Sequence, residues 1–259
     1  MRASGPGPVL PDADAVAAAL GSTWVLLAST LETGWAREAD GLHGLVTGMP
    51  VPTLNGAWVL SADASATQVQ AELDAVNEED VPFCLQCRSS WRSAGQVIAS
   101  ARGLTTEPDI PLMARAGPLE AAPAAGLSVR HLERGEAHVH CEVAGPAFGA
   151  PPELFAQLVT DEVLGLAEVT GYVGRVSGEE VVTALSVTVD DAVGIFNVAT
   201  LPAHRGRGYG AAITATATRE AFERGAAYAW LQSSQAGYGV YERLGFATLE
   251  RWPCWVSSA

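Results

Sequence analysis

FNVATLPAHRGRGYGAAITATATREAFERGAAYAWLQS, residues 196–233, carries the most information in this chain. An apolar strand runs to Thr200, and the loop His204-Arg205-Gly206-Arg207-Gly208-Tyr209-Gly210 enters a helix through about Arg224. Gly225 stops the helix, and a second strand ends at Gln232. A glycine-rich loop between strand and helix sets free backbone N–H groups at the positive end of the helix dipole, an arrangement that binds a pyrophosphate. Glycine is required where the backbone must approach a ligand or take φ > 0. Arg205 and Arg207 add positive charge, and the small Ala211, Ala212 and Ala215 let the helix pack close to a sheet. The G-K-[ST] of a Walker loop is absent. A Rossmann fingerprint fits poorly, because the strands before the loop read as antiparallel hairpins.

Upstream, the pattern predicts a strand at 127–131, a helical stretch near 135–144, and one helix from Pro152 to Leu164, begun by Pro151-Pro152 and ended by Gly165. Strands at 167–176, 181–189 and 192–200 follow, joined by hairpin-length links at 177–180 and Asp190-Asp191. Downstream, GYGVYERLGFATLERWPCWV reads as a short helix, a glycine turn and a final strand.

Two spaced motifs resemble the GCN5-related N-acetyltransferases: Arg205, Gly208 and Gly210 in Arg/Gln-x-x-Gly-x-Gly/Ala, and Tyr241 to Phe246 in Tyr-x-x-Leu-Gly-Phe. The resemblance covers residues 127–259. It implies acetyl-CoA as donor, no metal, and a small-molecule or peptide amine as acceptor. By position, Val198, Ala199 and Thr200 would pair with the pantetheine arm, and a backbone N–H there would polarise the thioester carbonyl. Gly206, Arg207, Gly208, Tyr209, Gly210 and Ala211 would cradle the pyrophosphate. Tyr241 would protonate the departing thiolate as general acid; its other reading is an aromatic packed beside Leu244 and Phe246. Gln232 stands where some protein-acetylating members carry Glu, and Gln cannot be a base. Glu168, Asp190 and Asp191 are the candidates for that role. His204 reads as a neighbour of the cofactor, and Gln232, Ser233 and Ser234 as hydrogen-bonding groups for acceptor or pantetheine. A binding module that has lost turnover, or an acyltransferase using another acyl-CoA, would share these features.

Residues 54–87, LNGAWVLSADASATQVQAELDAVNEEDVPFCLQC, repeat the strand-loop-helix-strand order. Asn55 matches Asn197 and Gln86 matches Gln232, which points to an internal duplication. The first copy has Leu60-Ser61-Ala62-Asp63-Ala64-Ser65 where the second has its Arg/Gly loop, and it lacks the final Tyr. The expected fold is therefore α/β: tandem GNAT-like lobes, each a mixed, mostly antiparallel sheet flanked by helices. Residues 1–120 would be a degenerate lobe and residues 121–259 the catalytic one. The segment Glu107–Gly126, with four prolines, reads as the linker between them. The first lobe would shape the acceptor pocket, cover a sheet edge or support a homodimer; Trp24, Trp35, Trp58 and Trp91 belong to it and either line a pocket at the boundary or fill core.

The 259 residues carry 29 acidic side chains and 15 arginines, with no lysine, for a net charge of −14. Residues 1–125 hold 6 Arg against 14 acids and the rest 9 against 15, so charge does not separate the halves. A basic footprint for nucleic acid is missing, no apolar run is long enough to span a bilayer, and the N-terminus lacks the basic start of a signal peptide. A cytoplasmic protein is expected, and its acidic field agrees with a cationic amine. Cys84 and Cys87 form C-x-x-C within a strand, where positions three apart face opposite sides, so they read as buried inert thiols. His138, His140 and Cys141 have no second ligand pair at finger spacing, so no metal is expected.

Overall fold

The computed structural model describes residues 9–31, 34–119 and 124–257. The first half runs α1 (Ala13–Ala28), β1 (Trp35–Ala39), β2 (Leu42–Val46), β3 (Asn55–Val59), α2 (Ala66–Asn77), β4 (Cys84–Cys87), α3 (Arg92–Ala101) and β5 (Thr105–Ala116). The second runs β6 (Leu127–His131), α4 (Ala137–Phe148), α5 (Pro152–Phe155), α6 (Asp161–Leu164), β7 (Val169–Val176), β8 (Glu179–Val189), β9 (Ala192–Thr200), α7 (Tyr209–Glu223), β10 (Tyr228–Gln232), α8 (Tyr238–Arg243) and β11 (Ala247–Val256). No described helix is long and apolar enough to cross a membrane.

The strands form one eleven-stranded sheet in the order β1-β2-β3-β4-β11-β5-β10-β9-β8-β7-β6. Only β3–β4 and β9–β10 are parallel. The order reads as two copies of one unit that exchange their last strands. β11 lies against β4 of the other half, β5 lies against β10, and the two exchanged strands pair with each other at the centre. Each half's sheet is completed by a strand from the other.

This exchange corrects the linker reading of Glu107–Gly126. The segment is β5 as far as Ala116, and its Leu112, Met113 and Ala114 are fully buried. Pro111 is tolerated because the β10 ladder begins only at Leu112. Its carbonyl still accepts from the Ser233 N–H at 3.0 Å, so only the missing proline donor goes unused. The lobe boundary expected at 120/121 falls outside the described residues.

The repeat is present, with a different alignment. Gly56 pairs with Cys84, two residues before Gln86, and Gly194 pairs with Trp230, two before Gln232. Gly56 thus corresponds to Gly194 and Asn55 to Val193, so Asn197 is not the counterpart of Asn55. Asn55 is instead a buried turn clamp whose amide binds the carbonyls of Met49 and Pro82. The single helix expected at 152–164 is two short ones, because Thr160 restarts the chain by capping Val163 N–H. The helix expected near 135–144 continues to Phe148 and ends at Gly149, φ 73°.

Both sheet faces are covered. The α7 face holds Val193, Ile195, Ile213, Ala217 and Phe246 in one cluster. On the opposite face, α4 and α1 lie over β8 and β9, with Leu27 and Met49 of the first half packed against Leu158, Val163 and Leu185 of the second. Cys84 and Cys87 do sit on opposite faces, all four thiols are buried, and burial pushes Cys87 up to about 12.

One ion pair ties the halves. The Arg88 guanidinium makes two bonds to Glu250, at 2.6 and 3.1 Å, and a third to Asp14 at 2.8 Å, with Arg88 and Glu250 largely buried. Removing one partner of a buried pair strands the other charge. Arg88→Met is therefore expected to lower the unfolding free energy by about 3 kcal/mol, measured by urea titration.

Candidate active site

The second half opens where the first stays closed. β3 and β4 remain paired through Val59 and Cys87 to the strand ends. β9 and β10 are paired only at Tyr228–Ala192, Ala229–Val193 and Trp230–Gly194. Beyond Gly194 the two strands part, and residues 195–200 of β9 have no partner on the β10 side among the described residues. The corresponding place in the first half is filled: the Trp58 indole donates to Gln86 at 2.7 Å, and Arg88 donates to the Leu60 carbonyl.

A β-bulge lies beside this split. Thr183 faces Ala199 and Leu185 faces Phe196, so Ala184 opposes both Asn197 and Val198. Asn197 takes φ 48°, the left-handed region that Asn tolerates better than most side chains. The bulge reverses the normal alternation. Val198 packs against the α7 face, while Phe196 and Asn197 both line a cavity on the α4 face.

The glycine loop closes the same end of β9. Gly206 and Gly208 have φ 74° and 80°, and a Cβ on either would project into open space. Gly208 is the residue before the first turn of α7, and Tyr209 opens the helix as a buried anchor. Gly210 lies close over Thr200 and Val198, which seats the helix N-terminus on the strand end. Arg205 turns away from the loop opening: its guanidinium donates to the carbonyls of Ala147 and Thr200, joining the end of α4 to the end of β9. Arg207 is exposed. His204 faces Glu179 at 3.3 Å.

Around β10, the buried Gln232 Nε2 has no partner among the described residues. Ser233 is buried and its hydroxyl donates to the Ser234 carbonyl at 2.8 Å. Tyr241 packs on the α7 face against Phe246, ring centroids 6.0 Å apart. Its hydroxyl makes no hydrogen bond to the described residues, and burial pushes its pKa up to about 12. Tyr241 thus packs as an aromatic beside Phe246 and keeps a protonated hydroxyl.

The base candidates do not join this group. Glu168 is exposed at the start of β7, with its carbonyl on Thr188 N–H. Register places it beside Val193, two strand spacings across and about four residues short of Asn197, roughly 15 Å from the bulge by strand geometry. Asp190 and Asp191 form the β8–β9 hairpin at that same distant end. Glu168, expected as a catalytic residue, thus lies apart from the bulge and the glycine loop. His140 is fully buried against Thr183 at 2.7 Å, and burial lowers its pKa to about 4. Among the described residues no group of three His, Cys, Asp or Glu could hold a metal.

A cavity lies beside Asn197, at the boundary where the tryptophans of the first half are candidates to line a pocket. It has a volume of about 430 Å³ and draws one wall from each half, including Trp24, while Trp35, Trp58 and Trp91 do not line it.

Comparisons agree with this geometry. Residues 140–246 match the acetyltransferase (GNAT) family. A GCN5-related N-acetyltransferase from Kribbella flavida superimposes with a TM-score of 0.71 at 23% identity, over 95% of this chain and 96% of that one. A GCN5-related N-acetyltransferase from Sphaerobacter thermophilus gives 0.59 at 18% identity, over 86% and 75%. A tandem GNAT protein from the clavulanic acid biosynthesis pathway gives 0.56 at 14% identity, over 96% and 97%. A search of curated proteins found no significant match. Residues 140–246 are thus similar to the acetyltransferase (GNAT) family, and the whole chain shares the fold of a tandem GNAT protein.

Proposed function

We propose that the second half binds acetyl-CoA and transfers its acetyl group to a primary amine by direct attack, with Tyr241 as general acid. The observation that carries this reading is the parting of β9 and β10 after Gly194, bordered by the Asn197 bulge and the glycine loop. The residues suit such a ligand. The α7 N-terminus and the two positive-φ glycines offer N–H groups to a pyrophosphate, the free β9 edge offers a ladder to a polyamide arm, and Gln232 has an unused donor.

When bound, acetyl-CoA supplies an activated acetyl thioester. The backbone around Val198 would donate a hydrogen bond to the thioester oxygen as negative charge develops there. Tyr241 would give its proton to the departing thiolate and recover one, through water, from the nitrogen as the amide forms. A phenol raised to about 12 is fully protonated at neutral pH, and the same desolvation raises the thiol from its usual value of about 8.5. Among the described residues, no titratable side chain lines the cavity beside the bulge. The acceptor ammonium would therefore lose its proton to water before attack.

The pH profile tests this scheme by following thiol release with acetyl-CoA and amines of different basicity. Expected is a kcat/KM that rises about tenfold per pH unit up to the acceptor's own pKa. It should then stay level, because Tyr241 remains protonated until about 12. A profile that levels at one fixed pH for every amine would mean that a protein base has been overlooked. Acetyl-CoA binding without thiol release for any amine would favour the binding-module reading.

A further inference from the structure

The cavity beside Asn197 is about 430 Å³, within the range of small-molecule sites; an apolar cavity of roughly 150 Å³ already holds benzene. Trp24, Met49 and Leu54 of the first half face Phe155, Leu185 and Phe196 of the second across it. Among the described residues that line it, Thr53, Asn197 and the Trp24 indole N–H are the polar side-chain groups, and none is Asp, Glu, His, Arg or Lys. Phe148, 52% exposed and stacked on Phe155 at 5.4 Å, stands at its rim.

We infer that the accepted amine is carried on an uncharged, apolar body, an aryl or branched alkyl group, which this cavity encloses. The inference rests on the transferase reading and names its substrate class. The cavity meets β9 at the bulge, where Phe196 and Asn197 both turn toward it, so an occupant would present its amine to the strand edge at the split. Tyr241 and the glycine loop's helix belong to the other face. The gap between β9 and β10 is thus the passage joining donor side and acceptor side. A polyamine or aminoglycoside would have to bury further ammonium groups here with no carboxylate to receive them, which is strongly unfavourable. The −14 net charge does not alter this, because none of the described charged residues lines the cavity. The first half acquires a role as the second wall.

The test compares 2-phenylethylamine with spermidine as acceptors, and measures 2-phenylethanol binding by calorimetry without acetyl-CoA. Expected is a kcat/KM about tenfold or more higher for 2-phenylethylamine. Leu154→Trp, filling the cavity from a half-buried position, should cut that value about tenfold and abolish 2-phenylethanol binding, with acetyl-CoA affinity unchanged within about twofold. Thr53→Asp, at a partly exposed position, should move the preference toward spermidine. A wild-type preference for spermidine, or 2-phenylethanol binding that Leu154→Trp leaves intact, would overturn the inference. So would a preference for hexanoyl-CoA over acetyl-CoA that Leu154→Trp erases, since the cavity would then hold the acyl chain. If no amine is turned over while 2-phenylethanol binds and Leu154→Trp abolishes its binding, the transferase reading fails and the apolar specificity of the cavity stands.

Discussion

Gly208→Glu is expected to weaken acetyl-CoA binding by about 100-fold or more, equivalent to roughly 2.7 kcal/mol. Gly208 sits at φ 80° immediately before α7, where a side chain costs about 1–2 kcal/mol of backbone strain. A glutamate there would also bring a negative charge and a chain of methylenes to the helix end, where the phosphates would lie, replacing an attraction with a repulsion. A Cβ alone meets nothing within 4 Å, so Gly208→Ala separates the two effects: it keeps the strain, adds no charge, and should cost only about tenfold. The folded state should survive both, because strain of this size is small beside a typical stability of about 5–15 kcal/mol. Calorimetric titration gives the affinities, and a thermal melt confirms the fold. Tight binding by the glutamate variant would move the phosphate site elsewhere.

Tyr241→Phe has the second large effect. Loss of a positioned general acid costs typically 10²–10⁴ in rate; a thiol is a good leaving group, so a fall in kcat of about 10–100-fold is expected here. Acetyl-CoA affinity should change by less than about twofold, because the ring is kept. Stability should hold or rise slightly, since the Tyr241 hydroxyl has no partner among the described residues and the ring's contacts with Phe246 remain. A kcat equal to that of the unaltered protein would leave Tyr241 as packing only. The effect on kcat without an effect on binding is what separates a proton donor from a wall of the site.

The parts of this fold legible in the sequence are those set by local chemistry. The strand–glycine loop–helix at 196–224 needs positive φ at Gly206 and Gly208, and nothing but glycine supplies that without strain. The hairpins of β7, β8 and β9 follow from alternation and short polar turns. The Asn197 bulge carried a signal that could have been used: an Asn inside an apolar strand is a side chain that tolerates the left-handed region. Asn197 matches Asn55 in residue identity but not in pairing register, which equates Gly56 with Gly194.

The remainder is non-local. β5 was hidden behind its prolines, which punctuate a chain when read locally, yet Pro111 sits where the neighbouring ladder has ended and its missing donor is not needed. The exchange of β5 and β11 leaves no trace in either half's pattern, since their apolar runs, Leu112–Ala114 and Trp252–Trp255, would be buried whichever neighbour they meet. The cavity is assembled from residues more than a hundred positions apart, such as Trp24 and Phe196, whose rings meet edge to face at 6.1 Å. Net charge is likewise a sum over the surface, and it does not report that the described lining of the cavity carries no charged side chain.

Both halves share a topology, but only β9 and β10 part. Calorimetric titration of the intact chain with acetyl-CoA tests this asymmetry directly. The expected stoichiometry is one acetyl-CoA per chain, bound by the second half. Two equivalents per chain, or none, would contradict it.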